Sequence, residues 1–358
     1  MKFRTEITPT RWAETIGYND TILSLGSCFA NNIAAKLTER KFRVVASPTG
    51  ILFNPASIAS AIERMVEQKT PKEEELIEVG GRWLSYDFHS DISGLTKADA
   101  TSAMQKAVEV GNKALTTATY TIITLGTAWV YRLKSSGKVV ANCHKQPHQI
   151  FSRELLSVAD VVEELERIIK ATNSHIIFTV SPVRHLGEGA EDNSLSKAIL
   201  RVAVDEVCRR HNERTIYFPS YEIMLDDLRD YRFYDDDMVH PTPMAVDYIA
   251  EKFFEIALSN EAKELMPKVL QIVKATSHRP INPASEEHKR FCRKQLDAIA
   301  TMSEINFEEE KRYFERMLQI ICKFAEYFAK NYEKDTQRAT PRPAYYNLCH
   351  GAHLCHKA

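Results

Sequence analysis

Two short segments of the 358-residue chain hold the residue types that acyl transfer needs. The first is Leu25-Gly26-Ser27-Cys28-Phe29-Ala30, where an apolar run ends in a glycine and a helical pattern begins. A serine at that junction lies beside helix-terminal amides, which can receive the negative charge of an oxyanion. The second is Asp235-Asp236-Asp237-Met238-Val239-His240-Pro241-Thr242-Pro243. A carboxylate three residues before a histidine can reach the imidazole and fix its tautomer, leaving the other ring nitrogen to deprotonate a hydroxyl. Ser27, His240 and Asp237 are thus the candidate nucleophile, base and orienting acid. Each segment alone has a plainer reading. Ser27 could simply cap a helix, and the acidic loop could carry an incidental histidine. Cys28 is a rival nucleophile, since a thiol at a helix N-terminus gains reactivity, but a neighbour of Ser27 points elsewhere and the Phe29 side suggests the core.

The elements around these segments raise the weight of the chemical reading. Five short apolar runs, 21–25, 43–46, 120–125, 175–180 and 215–219, are apolar on most of their residues. That pattern suits strands covered on both faces, as in a parallel sheet. Helical patterns lie between them: Phe29, Ile33 and Leu37; Val161, Val162, Leu165, Ile168 and Ile169; Leu195, Ile199, Val202 and Ala203. The expected fold is therefore α/β, a three-layer α/β/α sandwich with a short parallel sheet. Gly-Ser then ends the first strand, and Asp-x-x-His follows the last. Both fall at the strand ends where such sheets bind ligands. The expected organisation is a catalytic domain over residues 1–260 with a helical insertion at about 54–119, a helical extension over 261–334, and a loose tail over 335–358. An apolar stripe through Phe307, Phe314, Leu318, Ile321, Ala325 and Phe328 is expected to pack on the catalytic body or on a second subunit, which would make a homodimer.

Gly26-Ser27-Cys28-Phe29-Ala30 also spells the signature of the GSCFA-domain family, and over roughly residues 1–260 the chain resembles that family and, through it, the SGNH (GDSL-like) hydrolases. The resemblance implies Ser27 as nucleophile in the first block and Asp237 and His240 in the last. It implies Gly50, in Ser47-Pro48-Thr49-Gly50, as the oxyanion glycine of the second block. The third block departs from the pattern. Gly126-Thr127-Ala128 has alanine where the family's Gly-x-Asn places an asparagine that donates to the oxyanion. A donor of that kind contributes about 3–4 kcal/mol elsewhere, so a substitute is expected. Candidates are Gly126 and Thr127 themselves, Asn54, Asn142 and His144. His89 in the inserted interval and Arg184 after the fourth strand are further candidates for substrate contact. The activity implied is hydrolysis or transfer of small acyl groups, acetyl above all, on carbohydrate esters. The rival from another class is a catalytically lapsed module that binds a glycan or a protein in the same pocket.

Composition narrows the partners. With 47 basic and 48 acidic residues and a formal charge of −1, the chain has no polycationic surface for nucleic acid or anionic membrane. No run reaches the length of a membrane span, and the start lacks the apolar core of a signal peptide, so a cytoplasmic location is expected. Seven irregularly spaced cysteines suit free thiols. Serine-based acyl transfer needs no metal or organic cofactor, and none is expected. The Cys/His-rich end, Cys349 to His356, is read as adventitious rather than a structural metal site.

Overall fold

A computed structural model describes residues 4–187, 189–278, 280–282 and 285–319. Residues 4–273 with Ser303–Asn306 form one compact unit, and the other described residues from Lys274 onward form a second. The five apolar runs form one parallel sheet: β1 (Thr21–Gly26), β2 (Arg43–Ala46), β3 (Tyr120–Leu125), β4 (His175–Val180) and β5 (Thr215–Phe218), in the order β5-β4-β3-β1-β2. The three inner strands are buried along almost their whole length, while the edge strand β2 is not.

Helix α1 (Cys28–Glu39) follows β1, and α2 (Pro55–Glu67) and α3 (Lys97–Thr117) lie between β2 and β3. Next come α4 (Val158–Ala171), α5 (Ala190–Arg210) and α6 (Pro243–Ala257). Strand alternation sends Leu23, Ile123 and Phe178 to one face, where Ile58, Leu165 and Val204 of α2, α4 and α5 complete a single core. On the other face Phe218 of β5 meets Phe253 of α6 edge-on at 5.2 Å. This is the α/β/α sandwich, with helices on both sides of the sheet.

Local chemistry sets the helix starts. Asn54 caps α2 by accepting from the Ser57 amide at 2.8 Å, with Pro55 in the first turn. Thr242 caps α6 in the same way, ahead of Pro243. Proline fits there because its missing N–H would have no helical partner. Of the interval 54–119, α2 belongs to the sandwich, and the excursion between α2 and α3 carries a short hairpin, Ile77–Val79 with Arg82–Leu84. Residues 129–155 carry a small antiparallel sheet of Trp129–Leu133, Val139–Val140 and Phe151–Leu155.

In the second unit Ser285 caps the helix Glu286–Ala300, and Phe314 of the anticipated stripe is buried. Ile321, Ala325, Phe328 and the Cys/His-rich end lie outside the described residues. Among the described residues no helix is long and apolar enough to cross a membrane.

Candidate functional site

Ser27 immediately follows β1 and immediately precedes α1, with extended backbone, and its side chain makes no capping bond. Its amide donates to the Thr124 carbonyl at 3.0 Å. Its hydroxyl, fully buried, donates to the Ser181 hydroxyl at 3.0 Å. The sheet register explains the reach. Gly26 is level with Thr124 and Val180 with Leu125, so Ser27 and Ser181 leave the two strands that flank β3 and meet across its end. Gly126 occupies that crossing point without a side chain.

The loop after β5 carries the histidine. Asp237 accepts from the amides of Val239 and His240, at 2.8 and 2.9 Å, through Oδ1. Its Oδ2 lies 2.6 Å from His240 Nδ1. The His240 amide and ring, then the Val239 amide, hold the Asp237 carboxyl down to about 2. An ionised carboxylate only accepts, so Nδ1 carries the proton of that bond and Nε2 is the ring nitrogen left for other partners. The loop is fastened to the end of β4: Arg184 donates from its amide to the Val239 carbonyl and from its guanidinium to the Met238 carbonyl, each at 3.1 Å. Its charge lies 5.2 Å from the centre of the Tyr234 ring. Asp237 acts on the Cys28 thiol and His240 on the His185 ring, which puts the loop in the electrostatic neighbourhood of the β1 and β4 ends. Among the described residues no hydrogen bond joins Ser27 to His240; Ser27 is fully buried, and the histidine is about half exposed.

Two residues that the motifs did not single out stand at the same strand ends. Lys197 on α5 is buried, and its Nζ donates to the Gly126 and Ser181 carbonyls, both at 2.7 Å. Burial brings its ammonium down to about 7. His185 packs edge-on to Phe53 at 5.5 Å, its amide donates to Asn193 at 2.9 Å, and its buried Nε2 has no hydrogen-bond partner. A Cβ added to Gly126 would stand 3.1 Å from that nitrogen. Burial first, then the charges of Lys197 and His240, bring His185 down to about 4. Cys28 is partly buried, and burial pushes its thiol up against the pull of two helix amides and Lys197. It is therefore a thiol, not a thiolate, at neutral pH.

The remaining candidates are distributed around this centre. Gly50 lies in the turn after β2, with φ of +86°, its amide donated to Ser47, and His89 packed where a side chain would go. His89 lies 3.1 Å from Asp91. The amides of Gly126 and Thr127 both donate to the Phe53 carbonyl, and the Thr127 hydroxyl pairs with Ser196. Asn54 gives its side-chain oxygen to the α2 cap. Asn142 accepts from the His144 amide. His144, buried, donates from Nε2 to the Ser85 carbonyl and accepts at Nδ1 from Ser90. These contacts hold Asn142 and His144 against the 85–90 segment; none of them reaches Ser27. A cavity of about 290 Å³ adjoins the His240 loop, lined by Arg184, Leu225, Leu228, Tyr231 and Tyr234 among others.

The fold and site define an α/β sandwich with a serine at the end of its first strand and an Asp–His pair ahead of its last crossover helix. The chain belongs to the GSCFA family, whose model matches residues 21–253. A second model, GSCFA domain protein, C-terminal domain, matches residues 269–320. No curated protein matches the chain. Among solved structures it matches the crystal structure of an acetyl esterase mutant with acetate ion, at 10% identity and a TM-score of 0.32, covering 71% of this chain and 99% of that one.

Proposed function

We propose that the protein is a serine-dependent carboxylic ester hydrolase or O-acyltransferase acting on small acyl esters, acetyl esters of carbohydrates above all. The observation that carries this reading is the His240 ring, bound through Nδ1 to an ionised Asp237, on a loop that Arg184 fastens to the end of β4, the strand whose Ser181 meets Ser27. In the reaction, the Ser27 hydroxyl turns from Ser181 to His240 and gives its proton to Nε2 as Oγ attacks the ester carbonyl carbon. The carbonyl π electrons move onto oxygen. Collapse breaks the bond to the leaving alcohol, which takes the proton back from His240. Water or a second alcohol then releases the acyl group by the same steps. Catalytic hydrogen bonds often form only with substrate in place, so the Ser27–Ser181 contact is compatible with a resting state. The cavity beside Arg184 offers tyrosine faces and a cation for the alcohol portion, a lining that suits a sugar.

A second reading, a lapsed module that binds a glycan or protein partner, draws on Ala128 in place of the family's asparagine and on the Ser27–Ser181 bond. Hydrolysis of a chromogenic acetate ester separates the two. On the esterase reading the purified protein turns over the ester, and a fluorophosphonate probe labels the Ser27 peptide. Labelling is lost in Ser27→Ala and His240→Ala and kept in Cys28→Ala. A folded wild-type protein that does neither is a binder.

A further inference from the structure

Ala128 is not an oxyanion position that has lost its side chain. Its methyl is fully buried in the core shared by the sheet with α2, α4 and α5, and its amide is held by the Ser196 hydroxyl at 2.7 Å. The nearby amides of Gly126 and Thr127 are committed to Phe53, and that of Gly50 to Ser47. The Ser27 amide is likewise given to the Thr124 carbonyl, so an ester carbonyl attacked by Ser27 gains from a further donor along the strand ends. His185 offers one. Its Nε2 is buried and has no hydrogen-bond partner, so its donor capacity is unspent. The nitrogen lies over Gly126, on the strand that the Ser27 and Ser181 hydroxyls bridge. The ring is preorganised by its amide bond to Asn193 and by Phe53, so little reorganisation is needed when charge appears.

Resting on the acyl-transfer reading above, we propose that His185 is the missing oxyanion donor, its Nε2–H donating to the carbonyl oxygen as Ser27 attacks. Electrostatics suit the role. Burial first, then the charges of Lys197 and His240, keep the His185 imidazole neutral at neutral pH. A neutral imidazole held from protonation is an established form of electrophile. The proton stays on His185; only the hydrogen bond strengthens as the carbonyl π electrons move to oxygen.

The test compares wild type with His185→Phe, which keeps a ring against Phe53 without a donor, and His185→Gln, which restores a donor at similar reach. On a chromogenic acetate ester, His185→Phe should lose about 10²–10³-fold in kcat with KM changed little, as for removal of one oxyanion donor. His185→Gln should recover to within about tenfold of wild type. Should His185→Phe not fold, the imidazole of wild type is read by ¹⁵N NMR. Phosphonylation of Ser27 should move the His185 Nε2–H proton downfield and slow its exchange. A folded His185→Phe with near-wild-type kcat, a His185→Gln as impaired as His185→Phe, or an unmoved Nε2–H resonance would overturn the proposal while leaving the esterase reading intact. A wild-type protein that neither hydrolyses the ester nor takes the probe sinks both.

Discussion

At the scale of single residues, the contact between the Ser27 and Ser181 hydroxyls makes an immediate demand on the mechanism. The nucleophile must leave one acceptor to reach another. A neutral hydrogen bond of this kind contributes about 1 kcal/mol, roughly a fivefold factor. Ser181→Ala should therefore label with a fluorophosphonate at the wild-type rate or up to about fivefold faster. A loss beyond tenfold would make Ser181 part of the machinery instead. Asp237→Asn should be far more damaging, because an amide in that place no longer enforces Nδ1–H on His240; a fall of up to about 10⁴-fold in kcat is the scale expected for the wrong tautomer. The same scale decides what the chain discloses. The Asp237–His240 pair and the position of Ser27 at a strand end are legible because each is written in a local run of a few residues. Ser181, His185 and Lys197 are not, because they meet Ser27 and Gly126 only through the placing of β4 beside β3. One signal was present for Lys197: with Ser196 and Leu200 it occupies the buried stripe of α5, where a lysine needs a reason.

At the scale of elements, the strand ends work because two glycines let them come together. A Cβ on Gly26, where φ is +131°, would stand 2.1 Å from the Thr124 carbonyl oxygen. Backbone cannot give way there. Gly26→Ala should fail to accumulate as soluble protein, or melt far below wild type, as strained core changes do. Gly126→Ala is a milder insult, with contacts of 3.0 Å to the Phe53 carbonyl and 3.1 Å to the His185 ring. A side-chain ring can shift by a few tenths of an ångström. Its melting temperature should fall by only a few degrees while kcat falls at least tenfold if the ring that moves is the proposed oxyanion donor. Equal effects on stability and turnover would count against that placement. The sheet itself was readable: β1, β3 and β4 are apolar on most of their residues because helices cover both faces. The small antiparallel sheet was not. Its strands are two to five residues long and mostly half exposed, so too few apolar positions repeat to separate them from loop.

At the scale of the whole molecule, two buried bases in one place couple the site to global stability. His185 stands at about 4 and Lys197 at about 7, both below their ordinary values of 6.5 and 10.5, and burial is the largest cause in each. The unfolded chain therefore binds more protons at these positions, between pH 4 and 6.5 for His185 and between pH 7 and 10.5 for Lys197. A depressed folded value contributes stability that is complete above the unfolded value and is lost as pH falls through the folded one. Each window can add a slope of at most one proton, about 1.4 kcal/mol per pH unit. Other groups titrate as well, among them tyrosines whose hydroxyls burial pushes up, so the comparison must be between proteins at equal pH. In urea unfolding, the stability of wild type relative to Lys197→Met should climb from pH 7 to 9.5, and relative to His185→Gln from pH 4.5 to 6.5, the second difference staying flat between pH 7 and 9.5. Cys28, His185 and Tyr221 face Lys197. Of these, the Cys28 thiol and the Tyr221 hydroxyl are held above their ordinary values by burial and stay protonated through the lower part of the alkaline window, so the early climb belongs to the lysine. A Lys197→Met difference that does not change between pH 7 and 9.5 would mean that the amine is not charged-and-strained at neutral pH, and that its two carbonyl bonds hold the strand ends without any cost from the buried charge.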